Sequence, residues 1–197
     1  MPLRFLQIPD CRRLIVPNAG DTVNNISIVG FGDIFKGDLG IGCYLIDVLC
    51  QEPLGEAVEL AYVGENLHYT GAYLCEMDFA VIAGGLDMGG GAGMIHCWDM
   101  PTFEHNAFWL GENSVSISLL SRTLTGMRLS GFLPADLLLL LMEPDLTEGF
   151  GMSPMMHKVL RKAVHIIKEH LFRRGLLPET AYRLASIHQL EVLCTTV

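Results

Sequence analysis

The sequence is poor in charge, and positive charge is the scarcer kind. Only 18% of its 197 residues are Asp, Glu, Lys or Arg, and 22 acidic residues against 13 basic ones give a formal net charge of -9. A surface of this sign repels phosphate backbones, so nucleic acid is not an expected partner. Half of the residues are hydrophobic, which predicts a folded chain with one compact core rather than disorder.

Long apolar runs are also missing. The longest strictly apolar run is Leu137–Met142, whereas a membrane-spanning helix needs about 20 such residues. The chain does not open with the basic and apolar segments of a signal peptide. No Cys-x-x-Cys motif occurs among the six cysteines, which are Cys11, Cys43, Cys50, Cys75, Cys97 and Cys194. We therefore expect a cytoplasmic protein with reduced cysteines and no membrane association.

Five apolar stretches predict β-strands, and the segments between them have helical spacing. The strands are expected at Ile26–Gly30, Ala57–Val63, Phe79–Ala83, Met94–Trp98 and Leu137–Met142. Helices are expected to contain residues 41–49, 67–77 and 120–127, where apolar residues recur at intervals of three or four. Because strands and helices alternate, the predicted fold class is α/β: a three-layer sandwich of helices around a twisted, mostly parallel five-stranded sheet.

A further long helix is predicted after Ser153, which can cap it, with Pro154 at its first position and Gly175 beyond its end. One side of this helix is expected to be buried, through Val159, Ala163, Ile166 and Leu171. Another side is expected to be basic and solvated, through Lys158, Arg161, Lys162, Lys168, Arg173 and Arg174. We expect one domain over residues 1–197, with a core at about 25–174 and a C-terminal tail at 175–197.

Two glycine-rich loops follow predicted strands. The first, Gly30–Asp38, has Phe35 where a dinucleotide fingerprint needs its third glycine, and it lacks the Gly-Lys-Ser/Thr of a nucleoside triphosphate loop. The second, Gly84–Gly93, has six glycines around Asp87. Ligands of open α/β sheets bind at the carboxyl ends of the strands, so Asp38 and Asp87 are candidate site residues. Capping and turn formation are the alternative roles for both.

Several segments, taken in order, carry a family resemblance. Residues 28–42 read Ile-Val-Gly-Phe-Gly-Asp-Ile-Phe-Lys-Gly-Asp-Leu-Gly-Ile-Gly, and similar blocks follow at 79–89, 93–96 and 132–154. They resemble the opening GxGNxLxxD(D/E)GxG loop, the Asp-Ala loop with its following strand, and the closing block of the hydrogenase maturation endopeptidases. The resemblance covers about residues 25–174. It implies an α/β fold and an enzyme that trims the C-terminal extension of a nickel-iron hydrogenase large subunit once nickel is in place.

The resemblance also implies three metal-binding side chains, and other residues stand at the matching positions. Asp38 matches the leading Asp of the first loop, but the metal-binding acid that follows it is replaced by Leu39. The Asp after the third strand is replaced by Gly84, and counting back from Phe132–Pro134 places the family's His at Ser116. Carboxylate and imidazole groups suit nickel, whereas leucine and glycine offer no side-chain donor. The sequence therefore indicates a preserved scaffold without the peptidase's ligands.

Other residues could form a relocated metal site. The weak candidates are Asp38, Asp87, His96 and His105. Residues 96–105 also contain Cys97, Asp99 and Glu104, in a segment expected to be a strand leading into a loop. Glu65 and His68 form a second weak pair, for which a first-turn acid and a surface imidazole are the alternative roles.

Three functions therefore remain open. The first is a non-catalytic, monomeric or small homo-oligomeric protein that binds a hydrogenase large subunit, its precursor or an assembly factor. Its predicted contact residues are Asp38, Leu39, Gly84, Asp87 and Ser116. The second is an active endopeptidase with relocated ligands, and the third is a small-molecule or nucleotide binder. No resident cofactor is expected; the alternative is Ni²⁺ presented by the substrate.

Overall fold

A computed structural model describes residues 25–55, 57–110 and 114–177. The strands are β1 Ile26–Phe31, β2 Val58–Tyr62, β3 Phe79–Gly85, β4 Ile95–Trp98 and β5 Asp136–Met142. The α-helices are α1 Ile41–Leu49, α2 Thr70–Leu74, α3 Met100–Leu110, α4 Val115–Leu129 and α5 Pro154–Arg173. Short 3-10 turns at Gly37–Gly40 and Leu67–Tyr69 lead into α1 and α2.

The five strands form one sheet in the order β2-β1-β3-β5-β4. The first four strands of this order are parallel, and β4 runs antiparallel to β5 at the edge. The predicted mostly parallel sheet is confirmed, and the ends of each strand lie within two residues of the predicted positions. Since β4 is antiparallel, its first residues lie beside the last residues of β5, at the carboxyl end of the parallel strands.

Helices cover both faces of this sheet, which confirms the three-layer sandwich. Successive side chains of a strand point to opposite faces, so Val81 of β3 belongs to a core cluster with residues of α1 and α5. Its neighbour Ile82 belongs to the other cluster, with residues of α2, α3 and α4. The central strands β1 and β3 are buried along their whole length, as continuous apolar runs predict.

The prediction of a loop after β4 is wrong, because helix α3 follows this strand. The Asp99 Oδ1 atom accepts the backbone N–H of Thr102 at 2.9 Å, so Asp99 caps the helix. Only Phe103 and Ala107 of α3 are buried, which gives the helix a weak apolar periodicity. The second predicted helix is also shorter than expected: it ends at Leu74 and leaves Met77 outside.

Helix α5 begins and ends as predicted. Ser153 Oγ accepts the backbone N–H of Met156 at 3.3 Å, and Pro154 occupies the first turn. Two residues of α5 do not lie on the sides of the helix that the sequence predicts for them. Ile167, not Ile166, is fully buried, and Lys168, expected on the solvated basic face, is 1% exposed and forms an ion pair with Glu52.

Some predictions concern residues outside the described ranges. These include Cys11, Cys194 and residues 178–197 of the tail. Within the described part of the chain, no helix combines the length and apolar character needed to cross a membrane.

Candidate functional site

Asp38 lies at the carboxyl end of the sheet, but its carboxylate is buried and hydrogen-bonded inside the protein. Oδ2 accepts the backbone N–H groups of Asp145 at 3.0 Å and Leu146 at 2.8 Å, and Oδ1 accepts that of Ser153 at 2.6 Å. The residue is completely buried. Three donors on one buried carboxylate fix the loop before α1 to the loop before α5. This geometry assigns Asp38 to positioning the two loops.

The structure places Leu39 and Gly84 at the same carboxyl end of the sheet. Neighbouring atoms pack closely against the backbone there. A β-carbon added at Gly84 would lie 2.6 Å from the carbonyl oxygen of Phe31 and 2.7 Å from its ring. One added at the neighbouring Gly85 would lie 2.7 Å from the Cα atom of Leu39. No β-carbon fits at such distances without displacement of its neighbours. The volume that an aspartate would need at Gly84 is therefore occupied by Phe31.

Ser116 is an exposed residue in the first turn of α4. The cap of this helix is Ser114, whose Oγ accepts the backbone N–H of Ile117 at 3.3 Å. A serine hydroxyl is a weak replacement for the imidazole that the family resemblance implies here. The three matched positions thus hold a half-buried leucine, a glycine without space for a side chain, and an exposed serine.

One polar pair at the sheet edge was missed by the sequence analysis. His96 of β4 and Glu143, the residue after β5, meet with Nε2 and Oε1 3.1 Å apart. The other carboxylate oxygen of Glu143 accepts the backbone N–H of Met88 at 3.1 Å, and the residue is only 2% exposed. The register that pairs Ile95 with Met142 brings the two together. A glutamate before a proline gives no sequence signal of burial, so this pair could not be anticipated.

The second glycine-rich loop runs from β3 over Glu143 to β4. A β-carbon at Gly90 would lie 2.5 Å from Glu143 Oε1, so the glycine lets the loop backbone approach the carboxylate. Asp87 is exposed, and its Oδ1 accepts the backbone N–H of Gly89 at 3.1 Å. Asp87 therefore has the turn-forming role that the sequence left open as an alternative to a site role.

The structure does not bring the weak metal candidates together. Among the described residues, no three His, Cys, Asp or Glu side chains are placed to hold a metal ion. His105 is exposed on α3, and its neighbour Glu104 forms an ion pair with Arg128 of α4. Glu65 is paired with Lys36 instead of His68. The residues present therefore do not fit the nickel site that the resemblance implies.

The first glycine-rich loop has few N–H groups left for a phosphate. The N–H of Gly37 donates to Gly149 at 2.7 Å, and that of Asp38 donates to Leu146 at 2.8 Å. The N–H of Phe35 donates to the carboxylate of Asp33 at 2.9 Å, which also places negative charge inside the loop. A phosphate cradle needs free N–H groups and no carboxylate, so this geometry disfavours the nucleotide alternative.

A tyrosine holds the start of the same loop. The hydroxyl of Tyr62 donates to the carbonyl oxygen of Gly32 at 2.6 Å. Burial, followed by the nearby Cys43, Asp33, Glu65 and Tyr44, raises the pKa of Tyr62 to about 12. The phenol therefore remains a hydrogen-bond donor throughout the neutral range.

Comparison with known proteins identifies the fold. No family model and no curated protein sequence matches this chain. Solved structures do match. The hydrogenase maturating endopeptidase HybD from E. coli aligns with a TM-score of 0.68 at 22% identity, over 77% of this chain and 94% of that one. The [NiFe] hydrogenase maturation protease HybD from Thermococcus kodakarensis aligns with a TM-score of 0.61 at 16% identity, over 74% and 97% of the two chains. The protein therefore has the fold of the hydrogenase maturation endopeptidases, as the resemblance predicted.

Proposed function

We propose that this protein is a non-catalytic relative of the hydrogenase maturation endopeptidases. It binds a hydrogenase large subunit, or an assembly factor of that subunit, in the cytoplasm, as a monomer or small homo-oligomer. The observation that carries the proposal is Gly84, where Phe31 occupies the space of the ligand side chain that the family resemblance implies.

The other matched positions support the same conclusion. A metal-directed peptidase needs ligands that converge on one ion, and Leu39 has no donor atom. Asp38 does not substitute for it, because its carboxylate is completely buried and accepts three backbone N–H groups. Loss of the whole ligand set on an intact scaffold favours binding without cleavage.

The predicted contact residues then have two kinds of role. Leu39 is half-buried, and Asp87 and Ser116 are exposed, so these three can touch a partner. Asp38 and Gly84 are buried. They therefore act indirectly, by shaping the carboxyl end of the sheet that lies beneath the partner.

The pair of His96 and Glu143 supports a second candidate, an endopeptidase with relocated ligands. When Nε2 of His96 donates to Glu143 Oε1, the Nδ1 atom is left as a lone-pair donor, an arrangement common among metal-binding histidines. Against this candidate, no third ligand accompanies the pair among the described residues.

The two candidates are separated by incubating the protein with the nickel-loaded precursor of a hydrogenase large subunit. We expect a stable complex by size-exclusion chromatography with light scattering, and an unchanged intact mass of the precursor. A precursor shortened by its C-terminal extension would establish the endopeptidase. The absence of a complex would overturn the binding function.

A calorimetric titration of the protein alone with Ni²⁺ tests the relocated ligands. We expect no stoichiometric binding at micromolar affinity, since no three His, Cys, Asp or Glu side chains of the described residues are placed to hold a metal ion. Binding that is abolished by His96→Ala and retained in Asp87→Ala would instead assign a nickel site to the His96–Glu143 pair.

A further inference from the structure

Two phenylalanines from different loops stand together on the surface. Phe35, in the loop before α1, is 71% exposed, and Phe150, in the loop before α5, is 75% exposed. Their ring centroids are 6.0 Å apart, within the range of favourable aromatic pairs. Leu146, in the loop of Phe150, is 54% exposed. We call the exposed pair Phe35 and Phe150 the aromatic patch.

The backbone beneath the aromatic patch is fixed by bonds between the two loops. Gly37 donates to Gly149, Asp38 donates to Leu146, and Lys36 and Gly149 form a parallel β-bridge. The carboxylate of Asp38 adds three further hydrogen bonds between the loops. A surface held in this way loses little conformational entropy when it binds, which favours affinity.

The exposed apolar area is comparable to the largest apolar patch that a monomeric protein usually has. A fully buried aromatic side chain removes about 150–250 Å² from water, so two phenylalanines exposed by 71% and 75% leave a few hundred Å² in solvent. Contiguous patches of this size on a monomer are often functional. The fold does not need the two rings in its core, which contains neither of them.

The exposed charged residues in the loop of Phe150 are acidic. Asp145 and Glu148 are exposed in the loop of Phe150, and neither forms an ion pair with another described residue. Lys36, which follows Phe35 in the chain, is already paired with Glu65 and Asp33. Two acids therefore remain available beside an apolar centre.

We propose that the aromatic patch is the docking surface for a segment of a protein partner that carries apolar side chains flanked by Lys or Arg. The apolar side chains cover Phe35 and Phe150, while the basic side chains pair with Asp145 and Glu148. The proposal rests on the proposed role as a binding protein. It adds the place of contact and the chemistry of the contacting segment.

The test uses the nickel-loaded large-subunit precursor and measures its affinity by biolayer interferometry. We expect Phe35→Ser/Phe150→Ser to weaken binding at least about tenfold, because aromatic anchors dominate interfaces. Asp145→Asn/Glu148→Gln should weaken binding a few-fold and reduce its dependence on salt. The matched control is Phe108→Ser/Trp109→Ser, which removes a second exposed aromatic pair, at the end of α3, and should leave the affinity unchanged.

A second probe separates this proposal from the proposed function. Two synthetic peptides share an apolar centre, Leu-Phe-Leu-Leu, and are flanked by lysine in one and by glutamate in the other. We expect the lysine peptide to shift the NMR amide signals of residues 33–38 and 145–151 more than the glutamate peptide. Shifts from this peptide without any binding of the precursor would support the surface and overturn the hydrogenase partner.

Other outcomes overturn the surface itself. Equal shifts from both peptides, or none, would exclude the acidic, apolar recognition proposed. Binding of the precursor that survives Phe35→Ser/Phe150→Ser but is lost in Phe108→Ser/Trp109→Ser would place the interface at α3 and leave the binding function intact.

Discussion

Asp38 and Ser153 are 115 residues apart in the chain, yet Oδ1 of Asp38 accepts the backbone N–H of Ser153 at 2.6 Å. Ser153 is also the cap of α5, because its hydroxyl accepts the N–H of Met156. One carboxylate thus connects the loop after β1 to the start of α5. The residue that the sequence analysis considered as a ligand instead organises the edge of the sheet.

Asp38→Ala should therefore be strongly destabilising. It leaves three backbone N–H groups without their acceptor, one from a buried hydrogen bond and two from partly buried ones. A fully buried donor without a partner costs about 1–3 kcal/mol, and a partly buried one costs less. We expect the free energy of unfolding in urea to fall by at least about 3 kcal/mol. Asp87→Ala is the control: Asp87 is exposed and accepts a single backbone N–H, so the loss should stay within about 1 kcal/mol. Equal losses in the two variants would contradict the structural role of Asp38.

Tyr62→Phe tests the hydrogen bond that holds Gly32. Removal of the hydroxyl should cost about 1 kcal/mol near neutral pH. The raised pKa of Tyr62, about 12, lies above the value of about 10 for an unfolded tyrosine. Its contribution is then fully present below about pH 10 and is lost as the pH rises through 12.

The measurement compares the two proteins in urea at about pH 8 and about pH 11. The difference in their free energies of unfolding should shrink at the higher pH. Absorbance titration at alkaline pH should show that the variant lacks one late-titrating phenol. A difference that is independent of pH would mean that Tyr62 titrates as an ordinary exposed tyrosine.

Regular local patterns made the sheet and α5 predictable. Apolar runs marked every strand to within two residues, and Ser153 with Pro154 marked the start of α5 because capping acts over one turn. Helix α3 was not predicted because it buries only Phe103 and Ala107, which are too few residues to give a clear helical periodicity of apolar residues. Asp99 followed by Pro101 was the signal that could have indicated it.

Long-range contacts were beyond the sequence analysis. Lys168 has the spacing of a solvated basic face, but its partner Glu52 is 116 residues away, and burial of the pair depends on how α5 packs. Glu143 is buried because β4 and β5 pair in one register and the glycine-rich loop between β3 and β4 covers it. Side chains that form such contacts are determined by topology, and no local pattern encodes them.

Replacement of Glu143 should loosen the glycine-rich loop above it. Glu143→Ala removes the acceptor of the Met88 N–H and the partner of His96. We expect faster hydrogen exchange of the amides at residues 88–94 and a loss of stability of about 1–3 kcal/mol. Glu143→Gln is the matched control, since its amide oxygen can still accept from Met88 and its NH₂ group can donate to the imidazole. If neither variant exchanges faster than the unchanged protein, the side chain of Glu143 is not what holds the loop.

Gly84 decides whether this fold could hold the missing ligand. Its added β-carbon would collide with the backbone oxygen of Phe31 at 2.6 Å, and the parallel pairing of Phe31 with Gly84 prevents easy relief. Gly84→Ala should therefore lower the free energy of unfolding by about 1–3 kcal/mol. Gly84→Asp should cost more, because it also buries a carboxylate without prepared donors.

The control for this prediction is a glycine whose replacement should change the free energy of unfolding in the opposite direction. Gly126 lies on the exposed side of α4, and nothing would stand within 4 Å of its added β-carbon. Gly126→Ala should raise stability by about 0.5–1 kcal/mol, since alanine restricts the unfolded chain and favours helix. Urea unfolding of the three variants measures both signs. A neutral Gly84→Ala would show that Phe31 yields readily, so the site could accept the ligand after all, and the proposal of a non-catalytic protein would lose its main support.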